Sequence, residues 1–250
     1  MEYNKRFDGR TFTETRPIEA KAGVIKNANG SALFKIGDTW AYAAVYGPRE
    51  MYPRFLQDPK RGVLRVNYNM MPFSGMGDRV RPGPNRRAKE ISMVSEKALL
   101  SVIDLEKFPN AAVDVYIELP QTDAGSRCAG ICAASIALAD AGIVMKDMVS
   151  AVAVGMVDET PVVDLDYMEE NPEGMEAVDI PVAMVPSTGE VTLLQMDGII
   201  SNENLKKALD LSRDACKNIA EKQREALVEK YQQDASVADE MDDLSSEGSN

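Results

Sequence analysis

The hydrophobic period of this chain of 250 residues changes twice, each time in the same sense. Short alternating segments come first, bounded by Gly, Pro and Asn-Gly turn signals, and a helical period follows. After Pro17, the segment Ala22–Ile25 leads to Asn29-Gly30, a hairpin signal. Ser31–Ile36 and Thr39–Tyr46 read as strands separated by Gly37-Asp38 and closed by Gly47-Pro48. Val63–Met71 reads as a further strand, and the recurrence of Ile91, Val94, Ala98 and Val102 predicts a helix from Arg86 to about Leu105. Val113–Leu119 then reads as a strand, and Ser126 opens a helix of small residues reaching about Gly142.

The remainder repeats this order. Val149–Val157, Val162–Leu165, Ile180–Val185 and Val191–Met196 read as strands, with an acidic loop over 166–176. Leu205, Leu209, Ser212, Cys216, Ile219, Gln223 and Leu227 mark an amphipathic helix from about Asn202 to Tyr231. Two rounds of strands followed by a helix imply an α+β fold of two βαβα-type halves, about 1–110 and 111–233. Residues 234–250 hold Asp234, Asp239, Glu240, Asp242, Asp243 and Glu247 without Lys or Arg, and are expected to be a disordered acidic tail. No apolar run reaches the length of a membrane span. Residues 1–8, MEYNKRFD, have no apolar core, so no signal peptide is expected.

The chain contains no histidine. That excludes Ser-His-Asp triads, Cys-His dyads and histidine proton shuttles, and leaves acid–base work to Asp, Glu, Lys or Tyr. The three cysteines, Cys128, Cys132 and Cys216, read as reduced core residues, as expected in a cytoplasmic protein. The net charge of −12 gives no global footprint for nucleic acid. Basic residues gather locally instead, from Arg49 to Lys89, among prolines and glycines.

Three places could carry chemistry. Gly125-Ser126-Arg127 lies between a strand and a helix, where free N–H groups, a hydroxyl and a guanidinium suit a phosphate; a capped helix start with a surface Arg is the plainer reading. Arg86 and Arg87 open the preceding helix about 100° apart, able to serve two anions or to remain a solvated face. The acidic loop ends at Asp179, which directly precedes an apolar strand; its carboxylate could act as an acid or hold Mg²⁺. Anion binders, an arginine pair and carboxylates suit attack by inorganic phosphate on a phosphodiester. Phosphate is already nucleophilic at neutral pH and needs positioning more than deprotonation.

From Arg6 to Tyr231 the chain resembles the RNase PH family of 3′→5′ exoribonucleases, most closely the catalytic RNase PH-like subunits of archaeal exosome cores. The resemblance rests on RFDGR (6–10), VLRVNYNMMPF (63–73), Arg86–Ile91, LPQTDAGSR (119–127), Asp179–Pro181 and TLLQMDG (192–198), all in order. It implies the RNase PH-like fold, with mixed sheets and helices packed between them. It implies that Gly125, Ser126, Arg127 and Arg87 bind inorganic phosphate as co-substrate, and that Arg65, Arg86 and Arg87 contact RNA. Asp179 matches the second of two active-site aspartates and is the candidate metal ligand. The first is replaced by Glu173 at the six-residue spacing, or by Glu170 in a gapped alignment. The implied partners are the 3′ end of single-stranded RNA, a related inactive RNase PH-like subunit alternating in a hexameric ring, and RNA-binding cap proteins, with no membrane. Two other readings stay open: a homohexameric RNase PH trimming tRNA 3′ ends, and a silent RNA-binding ring subunit.

Overall fold

The computed structural model describes residue 3 and residues 5–76, 79–83, 85–172, 174 and 176–247. Two sheets form, one from each part of the chain. The first contains β1 (Ile18–Ala22), β2 (Gly30–Ile36), β3 (Thr39–Glu50), β4 (Val63–Met70) and β5 (Ala111–Gln121), in the order β1-β2-β3-β5-β4. Its pairs are antiparallel except β4 and β5, which run parallel and are joined by helix α1 (Arg86–Leu100). The second contains β6 (Ser150–Val157), β7 (Thr160–Val163), β8 (Ala177–Val185) and β9 (Glu190–Leu194), antiparallel in the order β7-β6-β8-β9. A four-residue helix, α3 (Tyr167–Glu170), stands between β7 and β8.

Helix α2 (Ser126–Asp140) lies between the sheets, packed on β2, β3 and β5 on one side and on β6 and β8 on the other. A helix enclosed from two sides must be apolar and slim all round. Its sequence, SRCAGICAASIALAD, meets this: 13 of its residues are buried. Gly130 shows how close the approach is, since a Cβ there would stand 3.1 Å from Ile117 Cγ2. Cys128, Cys132 and Cys216 are all buried and free, and burial pushes each thiol up, so none is a reactive thiolate. The last helix, α4 (Asn202–Glu247), packs on β1, β6 and β7, and its buried Gln223 donates to the carbonyls of Cys132 (3.2 Å) and Val149 (3.1 Å).

Four boundaries differ from the sequence expectation. β5 completes the first sheet, so the chain passes from one sheet to the other after α2 and not near residue 110. Between β1 and β2 the return runs over residues 23–29, with Gly30 already in β2, because β1 lies upstream at Ile18–Ala22. α1 stops at Leu100 and is followed by a 3₁₀ turn at Leu105–Lys107. α4 does not end at Tyr231 but continues through the acidic segment to Glu247. Nothing before Gly248 breaks it: residues 232–247 contain no Gly or Pro and include the helix formers Ala, Glu, Met and Leu. Residues 248–250 lie outside the described residues.

Candidate active site

Parallel pairing decides where a site can form. β4 and β5 point the same way and each leads into a helix, so the N-termini of α1 and α2 lie at one end of the first sheet. At α1, Asn85 is the cap, its side chain accepting from the Ala88 N–H at 2.7 Å, and Arg87 sits in the first turn. At α2, Gly125 is the cap and adopts the left-handed conformation (φ 64°, ψ 28°), which glycine enters without a Cβ penalty. The Cys128 and Ala129 N–H groups both bond the Gly125 carbonyl, so those of Ser126 and Arg127 have no intrahelical acceptor. The turn is braced from behind. The Thr39 hydroxyl donates to the Ala124 carbonyl at 2.7 Å, and buried Arg16 bonds Asp123 (2.7 Å) and Asp164 (2.7 Å).

The second sheet supplies the carboxylates. α2 packs against β8, which places Asp179, near the start of that strand, beside the start of α2. Asp179 and Asp197 exchange backbone hydrogen bonds of 3.1 and 2.9 Å, so the segment after β9 runs alongside β8 and brings Gln195 and Asp197 in with it. Glu170 closes the other side from α3, its Oε1 accepting the Gly125 N–H at 3.3 Å.

These elements enclose a cavity of about 420 Å³ lined by Arg87, Arg127, Glu170, Asn171, Asp179, Pro181, Gln195, Met196 and Asp197. A recess of about 70 Å³ adjoins it, adding Gly125, Ser126, Thr122 and Met70 while sharing Arg87, Arg127, Glu170 and Asp179. The structure thus brings together Gly125, Ser126, Arg127, Arg87, Asp179 and Glu170. It leaves two of the expected residues outside. Arg86 is exposed on α1 and lines neither space. Arg65 lies on β4 about 17 Å of strand from Met70, where with Arg49 it pairs with buried Asp114. Glu173 lies outside the described residues.

Gln195, Asp197 and Glu90 were not singled out by the sequence. Arg127 donates to Gln195 Oε1, and Gln195 Nε2 donates to Glu90 Oε1 at 2.7 Å, so the guanidinium is held between two helices and the TLLQMDG segment. That segment was a sequence signal without an assigned chemistry.

The acid–base chemistry of the cavity is set by its carboxyls. Burial pushes Glu170 up, the charge of Asp179 adds to this, and the Gly125 N–H with Arg87 and Arg16 only partly offsets it, leaving Glu170 at about 7. Asp179 is likewise raised by burial and by Asp197, against the pull of Arg127 and Arg87, to about 6. Its Oδ1 is buried without a hydrogen-bond partner among the described residues. Such an orphan oxygen suits a proton to be given away or a hard cation. Among the described residues no three acidic, cysteine or histidine side chains are grouped closely enough to hold a metal by themselves. Mg²⁺ commonly takes one or two carboxylates and completes its shell with water and substrate phosphates, so Asp179 fits as a single protein ligand.

Two family models match the chain consecutively: 3′ exoribonuclease family (RNase PH) domain 1 over residues 14–144, and domain 2 over residues 147–215. The exosome complex component Rrp41 of Methanopyrus kandleri is 50% identical over 226 residues, 90% of this chain and 93% of that protein. The protein of the same name from Pyrococcus furiosus is 50% identical over 230 residues, 92% and 90%. Among solved structures, rice Rrp46 superposes with a TM-score of 0.75 at 24% identity, covering 88% of this chain and 98% of its own, a likeness of fold. A chain of the Archaeoglobus fulgidus exosome with RNA bound to the active site gives a TM-score of 0.73 at 27% identity, covering 88% and 92%.

Proposed function

The chain belongs to the RNase PH family of 3′ exoribonucleases, and from that premise we propose that it is the catalytic subunit of an exosome, shortening RNA from the 3′ end by phosphorolysis. The observation that carries this is the convergence on one cavity of a helix N-terminus with free N–H groups, two arginines and two carboxyls of raised pKa.

Inorganic phosphate sits in the recess at the start of α2, on the N–H groups of Ser126 and Arg127, the Ser126 hydroxyl and the Arg127 guanidinium. Arg87 faces it from α1 and neutralises the scissile phosphate of the RNA. A phosphate oxygen attacks the phosphorus of the last phosphodiester, the bond to the O3′ of the preceding nucleotide breaks, and a nucleoside diphosphate leaves. O3′ departs with a proton. Asp179 supplies it: the residue is fixed near the start of β8, and the raised pKa of the Asp179–Glu170 pair keeps a proton in the cavity towards neutral pH. If Mg²⁺ is bound, Asp179 would hold it as a carboxylate together with substrate phosphates, and the metal would supply charge neutralisation at O3′ in place of the proton. Because phosphate and not water is the nucleophile, the reaction conserves the bond energy as diphosphate and runs backwards to add 3′ tails when diphosphates are abundant.

The same reading assigns the partners. Single-stranded RNA reaches the cavity along the β4 side, where Arg65 and Arg86 meet its backbone. The chain alternates with a related silent subunit in a six-membered cytoplasmic ring, under a cap of RNA-binding proteins. The test is labelled oligoadenylate incubated with the chain, with and without the related subunit and with and without phosphate. Nucleoside diphosphates released only when phosphate is present are expected; monophosphates, or turnover indifferent to phosphate, would refute phosphorolysis.

A further inference from the structure

One buried hydroxyl stands behind Ser126, a lining residue of the recess, and has not entered the mechanism. Tyr68 lies on β4, 4% exposed, and its O–H donates to Ser126 Oγ at 2.9 Å. Its backbone N–H donates to Ser92 Oγ at 2.9 Å, and the Ser92 hydroxyl in turn donates to the Ala88 carbonyl at 2.7 Å. Tyr68 therefore bonds both helices, α2 at its first residue and α1 in its second turn, one turn beyond Arg87.

We propose that Tyr68 is a positioning residue for the phosphate site, fixing the Ser126 hydroxyl so that its single proton is directed at the bound phosphate. The inference rests on the proposed function and deepens it. A serine hydroxyl has one proton and a freely rotating O–H. The unprotonated oxygens of phosphate are acceptors only, so a Ser126 bound to one of them gives its proton there and takes its other hydrogen bond as an acceptor. Tyr68 supplies that second bond, and it can do so at every working pH, because burial pushes its phenol up to about 12 and the proton stays on. Without the phenol oxygen, the serine hydroxyl loses the partner that fixes its rotation, and its proton is free to turn away from the phosphate. The ring itself packs against α2, since a Cβ on Gly130 would stand 3.5 Å from Tyr68 Cε2, so Tyr68→Phe removes the hydroxyl and keeps this packing.

The experiment measures phosphorolysis of oligoadenylate against phosphate concentration for wild type, Tyr68→Phe, Ser126→Ala and the double variant, in the active assembly. Tyr68→Phe is expected to raise the KM for phosphate about tenfold, leave kcat within about twofold and leave RNA affinity unchanged. In the Ser126→Ala background it is expected to add nothing, because the group it positions is gone. A purely structural tyrosine would instead lower kcat and thermal stability together and would act equally in both backgrounds; that result, or an unchanged phosphate KM, overturns the inference while phosphate-dependent wild-type turnover still stands. Phosphate-independent turnover by the wild type would remove the proposed function and this inference with it.

Discussion

Glu169 and Glu170 are consecutive carboxylates on one turn of α3, and they meet opposite environments. Glu169 is fully buried and bound by Arg6 through two hydrogen bonds, Nε to Oε1 at 2.8 Å and Nη2 to Oε2 at 2.6 Å. Tyr3 and the Asp166 N–H complete its shell, and Arg6 spends its other donors on the carbonyls of Val163 and Asp164 at 2.8 and 2.7 Å. Burial pushes Glu169 up, but the hydrogen bonds from Arg6, Tyr3 and Asp166 and the Arg6 charge outweigh it and hold the group below its ordinary value. Glu170, half-buried at the cavity wall, has one weak N–H partner and a carboxylate for a neighbour, and desolvation leaves it at about 7. Burial is common to both. What differs is whether an opposite charge answers it, and that difference separates a residue that holds the fold from one that holds a labile proton.

Three substitutions test this contrast. The largest effect is expected from Asp179→Asn, which removes the charge that opposes Glu170 and the proton donor at once. Turnover should fall by about 10²–10⁴-fold, the range of general acid catalysis, with RNA affinity retained because no cation is lost. Single-turnover cleavage and filter binding would check it; wild-type turnover would dissolve the distinction between the two glutamates, since neither would then face a working acid. The second is Glu169→Gln, which leaves the Arg6 charge buried without its partner. Urea denaturation should show a loss of about 3–5 kcal/mol, the cost of breaking a buried pair from one side. An unchanged midpoint would mean that the Arg6 site holds nothing together.

The smallest is Glu170→Gln, for which the sign with pH is the point. The folded-state pKa of Glu170 lies above the unfolded value, so the native state binds more protons than the unfolded one between about pH 4 and 7, and wild-type stability declines as pH rises through that window. The variant lacks this decline. At pH 8 it should be more stable than wild type by on the order of 1 kcal/mol after solvent screening, while its activity falls. Denaturation at pH 5 and pH 8 measures the difference, and a variant that is less stable at pH 8 would place Glu170 with Glu169 as a structural residue.

Much of this was legible in the sequence, for reasons that are local. The change from period two to a helical period located the paired strands and the long helices, and the Gly-Ser-Arg turn marked a helix start suited to an anion. RFDGR also stood out, yet its meaning did not: Arg6 answers Glu169 and Arg10 answers Asp8 and Asp164, and the partners across the fold lie on α3 and just after β7, segments the motif never mentions. Gln195 was missed for the same reason, because its work is to hold Arg127, a residue of another element. The helix beyond Tyr231 was missed because acidity was read as disorder, although no residue there opposes a helix. Local chemistry is written in the order of the residues; pairing between distant segments is not.

The enclosure of α2 between the two sheets has a consequence for synthesis. The turn at Gly125, Ser126 and Arg127 belongs to the stretch made first, and Asp179 belongs to the sheet made later. A nascent chain that has completed α2 has that turn, but neither Asp164 to hold Arg16 nor Gln195 to hold Arg127, and α2 has only one of its two walls. Until β8 and the segment after β9 are made, the growing polypeptide has neither the carboxyl of Asp179 nor the far wall of the cavity, so the cavity exists only once the last sheet closes over the helix.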